Sequence, residues 1–109
     1  MHSKEFLGGL AEFFKLFSDE TRIRILDLLV TGEKSVNEIS KKLDVSQSAV
    51  SHQLKTLRSS NLVKANKIGQ MVNYSIKDKH IEIILKYGIE HLKEIISEWK
   101  LIARLLKLL

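Results

Sequence analysis

The chain contains no cysteine, which removes disulfide bridges, thiolate metal ligands and thiol redox chemistry together. It has no proline and only five glycines, so it offers neither a proline-rich linker nor a glycine-rich loop to cradle phosphates. No run of about 18 uncharged apolar residues occurs, so no membrane span is expected. The opening MHSKEF lacks the apolar stretch of a signal peptide, and the expected location is the cytoplasm. The most informative absence is local. Between Val45 and Lys77 there is no Asp or Glu, while Lys55, Arg58, Lys64, Lys67 and Lys77 are present. Residues 1–44 carry −1 and residues 78–109 carry +1, so this segment holds the charge excess of a chain whose formal net charge is +5. Cations without neighbouring carboxylates suit a polyanion, because Lys and Arg near phosphates release condensed counterions.

What remains is ordinary globular composition, 44% hydrophobic and 28% charged over 109 residues, enough for one domain. Phe6, Leu7, Leu10, Phe13, Phe14 and Phe17 recur at helical spacing and predict a first helix from about Lys4 to Phe17. Ser18-Asp19-Glu20 reads as a cap with acids in the first turn of a second helix, which carries Ile23, Ile25, Leu26, Leu28, Leu29 and Val30 and stops at Gly32. Ser35-Val36-Asn37-Glu38 is a capping box for a short third helix ending at Leu43. Ser46 caps a fourth helix to about Ser60, with Val50, Leu54 and Leu57 inward and Asn61 as a left-handed stop. The period then changes. Leu62–Lys67 and Met71–Ile76 are strand-like runs joined through Ile68-Gly69-Gln70. A last helix begins near Lys79, and Ile81, Leu85, Gly88, Leu92, Ile95, Trp99, Ile102, Leu106 and Leu109 form a heptad seam that wants a partner helix. The same helix also carries Ile83, Ile84, Ile96, Leu101, Leu105 and Leu108, more apolar surface than so small a domain covers alone.

Two helices, a short turn, a polar-faced helix and a basic hairpin make a winged helix-turn-helix, mostly α with a β-hairpin wing. The fourth helix turns Ser46, Gln47, Ser48, Ser51, His52 and Lys55 outward, short hydrogen-bonding groups and longer donors that fit a major groove. Lys64, Lys67, Gln70 and Asn73 on the hairpin are placed to reach phosphates or a minor groove. A solvated helix face is the bland alternative, but ordinary exposed helices mix both signs of charge. The expected partner is double-stranded DNA.

The segments FSDETRIRILDLL and SVNEISKKLDVSQSAVSHQLKTLRSSNLVKANKIGQMVNYSI resemble the ArsR/SmtB family of bacterial winged-helix repressors, from about Phe14 to Glu94. SQSAVSHQLKTL is the most specific block. The resemblance implies a homodimer held by the first and last helices, which blocks transcription until an inducer, most often a metal ion, weakens its hold on operator DNA. On that reading residues 1–109 are a single domain, with 18–77 as the DNA-binding core and 1–17 and 78–109 as dimerisation helices.

The last helix also carries Asp78-x-His80 and His91-x-x-Glu94. Imidazole and carboxylate are zinc ligands, and four would complete a tetrahedron. His80 and His91 share a face but sit roughly 16 Å apart along one helix axis, whereas zinc–ligand bonds are about 2 Å. Two antiparallel copies bring Asp78 and His80 of one protomer to His91 and Glu94 of the other, twice by symmetry. The pattern is similar, residue for residue, to the C-terminal-helix metal site of the zinc-responsive branch. Where the family's other site places a cysteine beside the third helix, this chain has Ser35 within Glu33-Lys34-Ser35-Val36, which excludes a thiolate site. Nitrogen and oxygen donors favour zinc, with cobalt and nickel as lesser options. His2 is at most an accessory ligand.

Two rival readings stay open. One keeps the repressor and replaces the metal by a small molecule or protein inducer; the other makes the chain a winged-helix protein-interaction module. An enzyme is not expected, because no nucleophile–base constellation is present. The tail Trp99–Leu109 extends past the resemblance; it lengthens the seam or holds a partner, and a basic amphipathic membrane contact is the weakest option.

Overall fold

The computed structural model describes residues 1–107, so Leu108 and Leu109, the end of the expected seam and tail, lie outside the described residues. The elements run α1 (Lys4–Lys15), α2 (Glu20–Val30), β1 (Lys34–Ser35), α3 (Val36–Leu43), α4 (Gln47–Ser59), β2 (Val63–Ile68), β3 (Met71–Ile76) and α5 (Lys79–Lys107). They divide into two compact units, Met1–Asp78 and a second that begins at Lys79.

Local chemistry fixes the helix starts of the first unit. Asp19 caps α2 by accepting the Arg22 amide at 2.9 Å. Ser35 and Glu38 form the reciprocal capping box of α3, with Glu38 N–H donating to Ser35 Oγ at 3.2 Å and Ser35 N–H to Glu38 Oε1 at 3.0 Å. Ser46 caps α4 through the Ala49 amide at 3.2 Å. The α3–α4 turn is closed by Asp44 in the left-handed region, φ 54°, and Asn61 ends α4 the same way, φ 62°. Gly32 takes φ 135° beyond the end of α2, a region that a β-carbon disfavours.

These turns gather one apolar core. Ile25, Leu26 and Leu29 of α2, Ile39 of α3, Val50, Leu54 and Leu57 of α4, and Leu62 and Val63 at the entry to β2 are all buried, and among the described residues no polar or charged one is buried with them. Arg24 Nη2 donates to the Leu43 carbonyl at 2.6 Å, fastening α2 to the end of α3.

The sheet has three antiparallel strands in the order β1-β3-β2, one more than the hairpin expected from the sequence. The added strand is two residues long, and Ser35 serves it and the α3 cap at once. Strands β2 and β3 pair from Val63↔Ile76 to Ile68↔Met71 across a two-residue loop, with Gly69 at φ 62° as its first residue. The fold is a winged helix-turn-helix: α3 and α4 form the helical pair and β2–β3 the wing.

Helix α1 buries no residue and leaves Phe6, Leu7, Leu10 and Phe14 exposed. The second unit buries Ile81 and Leu85 early in α5, then exposes Leu92, Ile96, Trp99, Ile102 and Leu106. No helix among the described residues is long and apolar enough to cross a membrane.

Candidate nucleic-acid interface and metal ligands

Helix α4 exposes Ser46, Gln47, Ser48, Ser51, His52 and Lys55, the six residues expected on its outer face. Three are already engaged. Ser46 Oγ is the helix cap and lies 3.3 Å from Ser48 Oγ. Gln47 Nε2 donates to Asn37 Oδ1 at 3.1 Å, so Asn37 of α3 orients the first side chain of the exposed face. This leaves Ser51, His52 and Lys55 as its outward groups along the following turns.

The wing residues do not act as one surface. Neighbouring residues of a strand point to opposite faces, so Lys67, Val72, Ala65 and Tyr74 share one face, while Lys64, Asn66, Asn73 and Ser75 share the other. Lys64, Lys67 and Gln70 are exposed. Asn73 is half-buried and turned inward: its Nδ2 donates to Glu33 Oε1 at 3.4 Å, and its Oδ1 is buried without a partner. Asn66 Nδ2 donates to Glu33 Oε2 at 3.2 Å. The fold therefore brings a carboxylate to a ribbon whose own sequence has none, and two carboxamides hold it on the Asn66–Asn73 face. Sequence reading missed Glu33 because its partners lie 33 and 40 residues away.

A cavity of about 430 Å³ is lined by Ser51, Leu54, Lys55, Arg58 and Ser59 of α4 and by Tyr74 of β3. Arg58 and Tyr74 were not among the residues expected at the interface. The signal for Arg58 was present in Lys55-x-x-Arg58, two like charges one helical turn apart with no acid nearby.

Of the expected metal ligands, Asp78 immediately precedes α5, and His80, His91 and Glu94 lie on it. All four are exposed. At about 100° per residue, His80, His91 and Glu94 fall within roughly 60° of arc beside the apolar seam. Among the described residues, no three His, Asp or Glu side chains of one chain come together as a metal site. The donors suit zinc in type and exposure, and one chain alone does not assemble them.

Residues 19–65 match the model of a family described as bacterial regulatory protein, arsR family. The chain is 40% identical over 85 residues to the transcriptional repressor SmtB homolog of Synechocystis sp., a stretch covering 78% of this chain and 64% of that one, so it spans slightly less than two thirds of this relative's length. It is 32% identical over 89 residues to the cadmium resistance transcriptional regulatory protein CadC homolog of Staphylococcus aureus, covering 81% of this chain and 74% of that one. Among solved structures, the homodimeric winged helix-turn-helix DNA-binding domain of Mb0332 from Mycobacterium bovis superposes with a TM-score of 0.80 at 25% identity, covering 89% of this chain and 93% of that one.

Proposed function

This chain belongs to the ArsR family of bacterial regulatory proteins, DNA-binding transcriptional regulators rather than enzymes, and we propose that it is a homodimeric repressor released from its operator by a divalent metal ion, zinc foremost. One observation carries the DNA half of this reading: α4 exposes a row of polar side chains within a segment that has five cations and no acid. In a two-fold dimer the two α4 helices enter successive major grooves about 34 Å apart. Ser51, His52 and Lys55 meet base edges and phosphates, and Lys64, Lys67 and Gln70 meet the flanking backbone.

The apolar rows of α1 and α5 supply the dimer surface, with a second copy as the covering partner. The homodimeric Mb0332 domain supports a second copy as the partner. The functional partition that follows is a core of residues 18–77 carried by dimerisation helices at 1–17 and 78–109.

Asp78 and His80 of one copy would hold the metal with His91 and Glu94 of the other. When bound, zinc would tie these nitrogen and oxygen donors of the two copies together. Drawn together across the two copies, these four side chains would favour a dimer geometry whose α4 spacing no longer fits one turn of DNA. Metal and DNA must then weaken each other's binding by the same factor. The SmtB homolog's name supports a transcriptional repressor and the cadmium-resistance relative's name a response to a metal, without selecting the ion. Cobalt and nickel accept the same donors. Because imidazole ligates only when neutral, binding weakens in mild acid.

Calorimetric titration of zinc into metal-free protein tests the site. One zinc per protomer is expected, lost in the His80→Ala, His91→Ala double variant. Equal zinc uptake by the variant would remove these residues from the metal reading and place zinc elsewhere on the protein.

A further inference from the structure

The cavity lined by α4 and Tyr74 shares Ser51 and Lys55 with the outward face of α4 and adds Arg58 and Tyr74 to them. Its floor is Leu54, 1% exposed, and its rim carries the exposed cations Lys55 and Arg58. Adjacent cations at i and i+3 cost an isolated helix a few tenths of a kcal/mol. No acid of the segment relieves this pair, and Glu33, the carboxylate brought to the wing, is bonded to Asn66 and Asn73 on the opposite face of the ribbon. A fold that keeps two cations together, uncompensated, beside a cavity marks a place for an anion. Hydroxyls complete the lining. Ser51 and Tyr74 offer O–H donors, whereas Ser59 already gives its hydrogen to the Thr56 carbonyl at 3.1 Å. The pairings Ala65↔Tyr74 and Lys67↔Val72 put Lys67 on the Tyr74 face of the wing, so the cationic track continues from the cavity toward the wing tip.

We propose that this crevice clamps one backbone phosphate of the duplex, with Arg58 and Lys55 as the charged donors and the Tyr74 and Ser51 hydroxyls as neutral ones. The inference rests on the DNA-binding reading and deepens it. Arg58 and Tyr74 become phosphate-positioning residues that set the register of α4 in the groove and carry no base preference. Arg58 is suited to the role because its fork of N–H groups matches two phosphate oxygens.

The test is fluorescence anisotropy of the intact protein on a duplex carrying its own promoter, across a salt series. Each phosphate neutralised contributes about 0.9 to the slope of log affinity against log salt, so Arg58→Ala in both protomers lowers the slope by about 2. Between about 50 and 200 mM salt the variant then loses roughly tenfold less affinity than wild type. Arg58→Lys keeps the slope, and Tyr74→Phe lowers affinity severalfold while leaving the slope unchanged. Neither variant changes the ratio of operator to unrelated duplex binding. A wild-type slope in Arg58→Ala, with unchanged circular dichroism, overturns the clamp while leaving the repressor intact. Wild-type protein that binds no duplex overturns both. Millimolar inorganic phosphate at fixed ionic strength should not displace the duplex; displacement that disappears in Arg58→Ala would assign a free anion instead and refute the backbone assignment.

Discussion

Replacing Phe14 by Ala isolates the dimer surface from the core. Phe14 lies on α1, none of whose residues is buried, and is 50% exposed. Full burial of a Phe side chain stabilises by about 1.5–3 kcal/mol. A partner that covers the exposed half therefore gains about 1 kcal/mol from each copy, about 2 kcal/mol per dimer. At 1.4 kcal/mol per tenfold, the dimer Kd rises about 30-fold in Phe14→Ala. Sedimentation equilibrium over a concentration series reads this directly, and circular dichroism checks that the helices persist. A dimer Kd within twofold of wild type would remove α1 from the interface. A wild-type chain that sediments as a monomer would refute the dimer itself.

Four further outcomes follow from the same structure. Leu26→Ala empties a site that is 0% exposed and should cost about 3 kcal/mol, lowering the thermal midpoint by well over 10 °C. Ser35→Ala removes the α3 cap for about 1 kcal/mol, seen as a shift of a few degrees in the melt. The Ser35 amide bonded to Glu38 holds that carboxyl below the usual carboxylate range. Its stabilisation is thus full above the unfolded value and is lost as pH falls through the lower folded one; melts of Glu38→Gln should show a shallower loss on the acid limb. The His80→Ala, His91→Ala variant should bind DNA as wild type does and stay bound in zinc, and zinc-driven release of this variant would count against both histidines.

Much of this architecture was legible because its signals are local. The Ser35–Glu38 capping box, the Ser46 cap and the left-handed Asn61 each depend on neighbours within four residues, and each appears at its expected place. The inward positions Val50, Leu54 and Leu57 follow from helical period alone. Strand β1 was not legible, since two residues carry no period and the strand exists only by pairing with β3. The split of the wing into two faces was readable in principle. Lys64 and Lys67 stand three apart, an odd step that sends them to opposite sides once the run is a strand. What removed Asn73 from the free surface was Glu33, a contact that only the folded topology creates. Tyr74 likewise comes to line one cavity with Arg58 only in the folded chain. The proposed ligands Asp78, His80, His91 and Glu94 show the reverse case: their types and spacing are plain in sequence, while among the described residues no three such side chains of one chain come together.

The most direct measurement is zinc titration of the metal-free protein bound to its own promoter duplex, followed by fluorescence anisotropy. Release near one zinc per protomer is the predicted result. A complex that binds the duplex tightly and is unmoved by zinc, cobalt or nickel would contradict it, leaving a repressor whose inducer is not a metal.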